Sequence, residues 1–322
     1  MMAMDVMASG IRRGVRAGLA MLALIVGGAA AAAQSPAPVQ PGPNFRGGVD
    51  LVTIRAVVRD GKGRPVTTLG KPDFELLDNG VARDILAVEQ DNGPVGLAML
   101  FDISGSMDVN DRFGRAREQG YFLLSGLRNG EDEAAIFAFD SRLHVIQPFT
   151  TELDRLRGTV TEFSRWGMTS LHDAIASASK TMDTRATRRR ALVVLTDGID
   201  TGSKLTPAEV SAIASSIDLP VYIVAVVQAI DDPRRGEGNQ ALAGELADLA
   251  RWTGGQLFLA TSTKEASVVA RQIVGELRQQ YLIGFEPGAT PGWHAVDVRV
   301  RRKGHTVQAR GGYVAGTRRP VS

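Results

Sequence analysis

The sequence predicts an α/β fold: a doubly wound, mostly parallel sheet inserted in a small β-sandwich-like domain formed by the N- and C-terminal segments. Three observations lead there. Residues 95–101, 134–139, 191–196 and 221–227 are near-continuous apolar runs, the pattern of strands covered on both faces. Helical stripes separate the later runs: Leu171, Ile175, Ala178 and Met182 share one face, as do Leu242, Leu246 and Leu249. Short alternating strands with tight turns flank this block on both sides.

In chain order, the first feature is an export signal over residues 1–33. Arg12, Arg13 and Arg16 form a positive start, and an alanine- and glycine-rich apolar run follows up to Ala33, with small residues suited to cleavage there. The destination is the periplasm or the exterior; an uncleaved segment would instead anchor the chain in a membrane. Residues 34–47 hold Pro36, Pro38, Pro41 and Pro43 and read as a linker. Residues 48–92 form a β segment. Val52, Ile54, Ala56 and Val58 alternate up to a turn at Asp60-Gly61. Residues 74–77 run into Asp78-Asn79-Gly80, whose residues tolerate positive φ and favour a hairpin, with 85–88 as the returning strand.

The α/β domain is expected over 93–280. Thr206-Pro207-Ala208-Glu209 combines a hydroxyl N-cap, proline in the first turn and a glutamate at capping-box spacing. Ser262 and Glu265 repeat that spacing before Val269, Ile273, Val274 and Leu277, while Gly254-Gly255 stops the preceding helix. Residues 281–315 return to strand texture: Val296, Val298 and Val300 alternate, and Lys303-Gly304 turns the chain into 306–310. Neither β segment can bury a core alone, so the two should pair; residues 316–322 are a tail.

Composition narrows the function. The chain is 44% hydrophobic and 22% charged, ordinary for a globular protein. Its net charge of +2 is carried by the export signal, where three arginines face Asp5, so no basic excess remains for a nucleic-acid partner. Cysteine is absent, which excludes disulfides, thiolate zinc sites and thiol nucleophiles, and four scattered histidines make a histidine-rich metal site improbable.

Ligands of open α/β sheets bind outside the carboxyl ends of the strands. At those ends stand Asp102-Ile103-Ser104-Gly105-Ser106 and Asp197-Gly198, and Gly167-Met168-Thr169-Ser170 precedes a helix. Two carboxylates and three hydroxyls without histidine or thiol suit a hard, oxygen-seeking cation such as Mg²⁺. With Asp102, Ser104, Ser106, Thr169 and Asp197 in this order, the stretch 93–280 resembles the von Willebrand factor type A domains and their metal-ion-dependent adhesion site. The flanks resemble bacterial exported proteins that carry such a domain. Met168 departs from the family pattern, which often has a second glycine before the threonine.

The resemblance implies that Ser104, Ser106 and Thr169 touch the metal (Mg²⁺, or Mn²⁺ or Ca²⁺), with Asp102 and Asp197 acting mainly through water. It also implies a non-enzymatic adhesion-type module that docks an exposed Asp or Glu of a partner protein. Met107, Trp166, Met168 and Ser170 are candidates for the partner-binding rim. The alternatives are a metal-dependent hydrolase, for which Asp108, Asp111, Asp173 or Asp200 would have to supply a base, and a structural envelope component. Asp173 and His172 read as residues of the helix start, Asp231-Asp232 as a turn, and Arg188 to Arg190 and Arg234-Arg235 as solvated loop charges.

Overall fold

The computed structural model describes residues 51–91, 93–159, 167–184, 189–226 and 240–316, with the side chains of 240–243 excepted. The export signal, the linker, the tail beyond 316, Trp166, Arg188, Asp231-Asp232 and Arg234-Arg235 lie outside these residues. Among them, no helix is long and apolar enough to cross a membrane.

A six-stranded sheet carries the α/β part. Its strands are β5 (Val95–Asp102), β6 (Glu133–Phe139), β7 (Leu143–Thr150), β8 (Arg189–Thr196), β9 (Val221–Ala225) and β10 (Leu257–Leu259), in the order β10-β9-β8-β5-β6-β7. All pair in parallel except β7, an antiparallel edge strand whose Pro148 suits an edge position. Alternation along β5 decides which helices cover which face. Val95, Leu97, Met99 and Phe101 face α1 (Arg112–Ser125) and α6 (Thr263–Arg278), along with α2 (Leu153–Arg157). Ala98 and Leu100 face α3 (Leu171–Asp183), α4 (Pro207–Ser216) and α5 (Gln240–Thr253). On α1 a side chain at Gly120 would meet the Phe101 ring at 2.7 Å, so glycine permits the close approach of helix and strand.

Helix ends follow their residues. Thr206 accepts from the Glu209 N–H while Glu209 reaches back to the Thr206 N–H. At α6 the box is half-built: Ser262 accepts from the Glu265 N–H, but Glu265 turns to the N–H and hydroxyl of Thr261. At the end of α5, Gly254 takes φ of 86° and the paired bonds Gly254 N–H to Arg251 and Gly255 N–H to Ala250 close the helix.

Arg189 and Arg190 correct the expectation of solvated loop charges: both are buried in β8. Their stems pack in the core and their guanidinium groups cap helix C-termini. Arg189 donates to Leu277 O near the end of α6. Arg190 donates to Met182 O at the end of α3 and to Ile217 O beyond α4. Helix ends leave carbonyls without partners, and cations there satisfy them and oppose the helix dipole.

The terminal segments build two antiparallel four-stranded sheets around a shared core of Ile54, Leu76, Tyr281, Ile283, Phe285 and Val298, among others. One sheet, ordered β13-β1-β11-β4, joins β1 (Val52–Arg59) and β4 (Ile85–Gln90) to β11 (Tyr281–Phe285) and β13 (Thr306–Ala309). The other, ordered β14-β12-β2-β3, joins β2 (Phe74–Asp78) and β3 (Val81–Arg83) to β12 (Gly292–Val300) and β14 (Gly312–Ala315). Asn79 and Gly80 both take positive φ, the geometry of a tight hairpin turn. The returning strand is nevertheless β3, not 85–88. After Arg83 the chain crosses to the opposite sheet, where β4 pairs with β11, and this buries Ile85 in the core between the sheets.

Candidate metal centre

The strand order reverses beside β5: β6 lies on one side and β8 on the other, so the loops after β5 and β8 leave the sheet in opposite directions and open a crevice. Asp102 ends β5 and is 0% exposed. Its Oδ1 accepts from the Ser104 N–H at 2.9 Å and its Oδ2 from the Thr196 hydroxyl at 2.6 Å. Thr196 in turn accepts from the Gly198 N–H at 3.0 Å, which ties the turn after β8 to the end of β5. Burial drives the Asp102 carboxyl up to about 6. The donors Ser104 and Thr196 oppose that shift, and the charge of Asp197 adds to it.

Ser104 is buried and its hydroxyl lies 3.0 Å from that of Ser106. The chain then makes 3₁₀ turns over Gly105–Asp111 and kinks at Asn110 and Asp111, both left-handed, before α1. These residue types tolerate that conformation. A side chain at Gly114 would lie 2.3 Å from the Asp111 carboxylate, which would have to turn away from its present position. Asp108 and Asp111 line a small cleft of about 80 Å³ with Arg117 beside the start of α1.

Asp197 follows β8 with its carboxylate buried. Oδ1 accepts from the Ile199 N–H at 3.3 Å, and Oδ2 lies 2.8 Å from Nη1 of Arg112. The same Nη1 donates to Ser106 O at 3.3 Å, so Arg112 straddles the two loops. Thr169 is buried in the loop before α3. Its N–H donates to the Thr201 hydroxyl at 3.0 Å, and its carbonyl accepts from Thr201 and Gly202, both at 2.9 Å. Ser170 donates its N–H to Asp140 O at 2.8 Å, so this loop is clamped between the end of β6 and the segment after Asp197. The position before the threonine makes no demand for glycine: Gly167 takes φ of 102°, whereas Met168 is not among the residues of positive φ.

Two of the expected rim residues need correcting. Met107 is fully buried in the core between the sheet and α1, because the 3₁₀ turn folds its side chain inward, and Ser170 is also buried. Met168 is 56% exposed and does face out; Trp166 lies outside the described residues. Val109 and Ile199, on the loops after β5 and β8, are exposed as well. Nothing in local spacing marks them, since an isolated aliphatic in a loop reads as ordinary surface.

Two of the surrounding acids brace loops. Asp173 accepts from the Lys204 and Leu205 N–H groups. Asp200 accepts from the N–H groups of Gly202, Ser203 and His172, with His172 Nδ1 3.0 Å away. Among the described residues, no three His, Cys, Asp or Glu side chains gather as a metal cluster. The candidate set is different in kind, two carboxylates with hydroxyls. Its chemistry fits a hard cation: Asp102 is a desolvated carboxylate held by neutral donors, with a second carboxylate beside it and hydroxyl oxygens on the adjoining loop.

Residues 97–199 match the family model described as von Willebrand factor type A domain. No curated protein matches the chain. Among solved structures, the chain is similar to a conserved hypothetical protein BatB from Bacteroides thetaiotaomicron, at 20% identity over 56% of this chain and 98% of that one, with a TM-score of 0.45. It is similar to an aerotolerance-related membrane protein from Bacteroides fragilis at 22% identity, over 57% and 98% of the two chains, with a TM-score of 0.46. A third similarity is to a von Willebrand factor type A protein from Catenulispora acidiphila, at 16% identity over 78% and 76%, with a TM-score of 0.48. The doubly wound sheet, the paired loops at its reversal and the family match over 97–199 together place a von Willebrand factor type A domain in this chain.

Proposed function

We propose that this domain is a cation-dependent protein-binding module of the adhesion type, acting outside the cytoplasm, that docks an exposed Asp or Glu of a partner. Ser104, Ser106 and Thr169 would hold Mg²⁺ (or Mn²⁺ or Ca²⁺), with Asp102 and Asp197 acting mainly through water. The observation that carries the reading is the state of Asp102: a fully buried carboxylate that accepts from the neutral donors Ser104 and Thr196 with a like charge nearby. Neutral hydroxyls leave a dication's charge incompletely compensated, and a partner carboxylate supplies what is missing. Binding is favoured over hydrolysis because Asp173 and Asp200, two of the four acids named as candidate bases, are spent on backbone N–H groups of the loops.

Calorimetric titration of the full chain with MgCl₂, followed by a short glutamate-containing peptide, tests the proposal. Peptide binding that requires the cation and disappears with EDTA supports it. Equal peptide binding with and without cation, or turnover of a phosphoester or peptide bond that requires Asp102, contradicts it.

A further inference from the structure

The cation at the rim that sequence reading does not reveal is Arg112. It is the first residue of the fourteen-residue helix α1, whose first turn contains no acidic residue. A positive side chain there stands at the positive end of the helix dipole, a locally unfavourable placement. Oδ2 of Asp197, on another element, lies 2.8 Å from Nη1 of Arg112 and helps to offset this, with Ser106 O at 3.3 Å on the same nitrogen. The pair is well shielded from solvent, the Arg112 side chain being 14% exposed and that of Asp197 1%. The left-handed residues Asn110 and Asp111 immediately before it set the direction in which α1, and hence Arg112, starts.

We propose that Arg112 is the residue that makes this rim selective for an acidic ligand, by coupling cation binding to carboxylate binding. This deepens the proposed function and rests on it. Asp102, Asp197 and Arg112 together carry one negative charge. A divalent cation takes that set to one positive charge, and an incoming carboxylate returns it to neutrality. Without Arg112, the two aspartates alone would neutralise the dication and leave little electrostatic reason to recruit an acid. The guanidinium therefore weakens the cation's hold while the site is alone, by repulsion and by occupying Asp197, and strengthens it once an acid is docked. Such reciprocity is required of any coupling between two ligands at equilibrium.

The test uses the full chain, with MnCl₂ as the cation and sodium acetate as the acid, against sodium chloride at matched ionic strength. Free Mn²⁺ is read by electron paramagnetic resonance, a measure independent of any partner. Arg112→Gln should bind Mn²⁺ about tenfold more tightly than wild type in chloride, since a unit charge beside a dication is removed from a shielded site. Acetate should tighten Mn²⁺ binding in wild type and do so several-fold less in Arg112→Gln. Arg112→Lys, which keeps the charge but not the fork of donors, should retain the wild-type coupling, and circular dichroism confirms that each variant is folded. Equal Mn²⁺ affinity and equal acetate coupling in wild type and Arg112→Gln would overturn the role of Arg112 while leaving the binding module standing. Loss of coupling in Arg112→Lys as well would overturn the charge account. Failure of both wild type and Arg112→Gln to bind Mn²⁺ would overturn the cation site itself.

Discussion

Two buried aspartates end neighbouring structural stories in this molecule. Asp78 closes β2 in the sandwich, and Asp102 closes β5 in the α/β sheet. Asp78 is surrounded by cations and donors: His294 Nδ1 at 2.6 Å, the Gly288 N–H at 2.9 Å, and Arg83 Nε and the Tyr313 hydroxyl, each at 3.2 Å. Burial alone would raise its carboxyl, but these partners outweigh burial and hold it below the ordinary range. Nε2 of His294 lies 2.6 Å from Thr290 O, so both ring nitrogens face acceptors, which favours the doubly protonated ring and raises its pKa. Tyr313, buried beside the same carboxylate, is pushed up to about 12. Asp102 is as inaccessible to solvent but lies deeper in the protein, with neutral donors and a neighbouring Asp197; desolvation first, then the Asp197 charge, raise it to about 6. The first carboxylate is a brace whose charge is spent; the second, on the proposed function, keeps its charge for a cation.

The sharpest way to break that contrast is to remove each acid. Asp78→Ala should destabilise the chain by ~3–5 kcal/mol, because His294 and Arg83 lose their counter-charge in a buried setting. Urea denaturation followed by tryptophan fluorescence reads this, and a loss below ~1 kcal/mol would mean that the cluster is not a brace. Asp102→Asn should act in the opposite direction in cation-free buffer. A carboxyl raised from 3.8 to about 6 contributes stability that is complete below 3.8 and lost as pH rises through about 6. At pH 7.5 the ionised side chain therefore costs about 3 kcal/mol, which the neutral amide relieves. A variant that is less stable than wild type at pH 7.5 would contradict the reading of Asp102 as an uncompensated charge.

The pH profile separates the two regions further. His294 is raised above its ordinary 6.5, so its contribution is complete below 6.5 and is lost as pH rises through the higher folded value. His294→Asn should flatten the fall in stability on the alkaline side of neutrality and leave the acidic-side change from Asp102 in place. If both limbs vanish together, the two clusters are not independent. The smallest stability effect is expected from Ser104→Ala, within about 1 kcal/mol without cation, since a single buried hydroxyl contact is lost. Its Mn²⁺ affinity should drop at least about tenfold. Unchanged affinity in that variant would remove Ser104 from the ligand set.

What the sequence disclosed follows from how locally each feature is encoded. Asp102, Ser104 and Ser106 are legible because strand, turn and hydroxyl spacing occupy five consecutive residues, and Thr206 to Glu209 because a capping box is a four-residue motif. Asn79-Gly80 marks its hairpin for the same reason, yet the crossing of the chain between sheets after Arg83 is set by burial of Ile85 in a tertiary core. Arg189 and Arg190 read as solvated loop charges until helix ends far along the chain supply carbonyl partners, and no local spacing singles out Arg112, whose partner Asp197 stands on another loop. The Asp78 cluster joins residues more than two hundred positions apart, and no spacing rule could assemble it. The edge strand β7 escapes because its half-exposed residues and Pro148 dilute the strand pattern.

On the proposed function, Asp102 is held uncompensated so that a cation can compensate it. Thermal denaturation of the full chain at pH 7.5, across a MnCl₂ titration, for wild type and Asp102→Asn, tests it most directly. A cation that binds only the folded state stabilises by about 2.7 kcal/mol at a concentration one hundred times its dissociation constant. The account predicts a saturable rise in wild-type Tm with Mn²⁺, and an Asp102→Asn variant that starts higher and does not respond. A wild type indifferent to Mn²⁺, or a variant that responds equally, would contradict it.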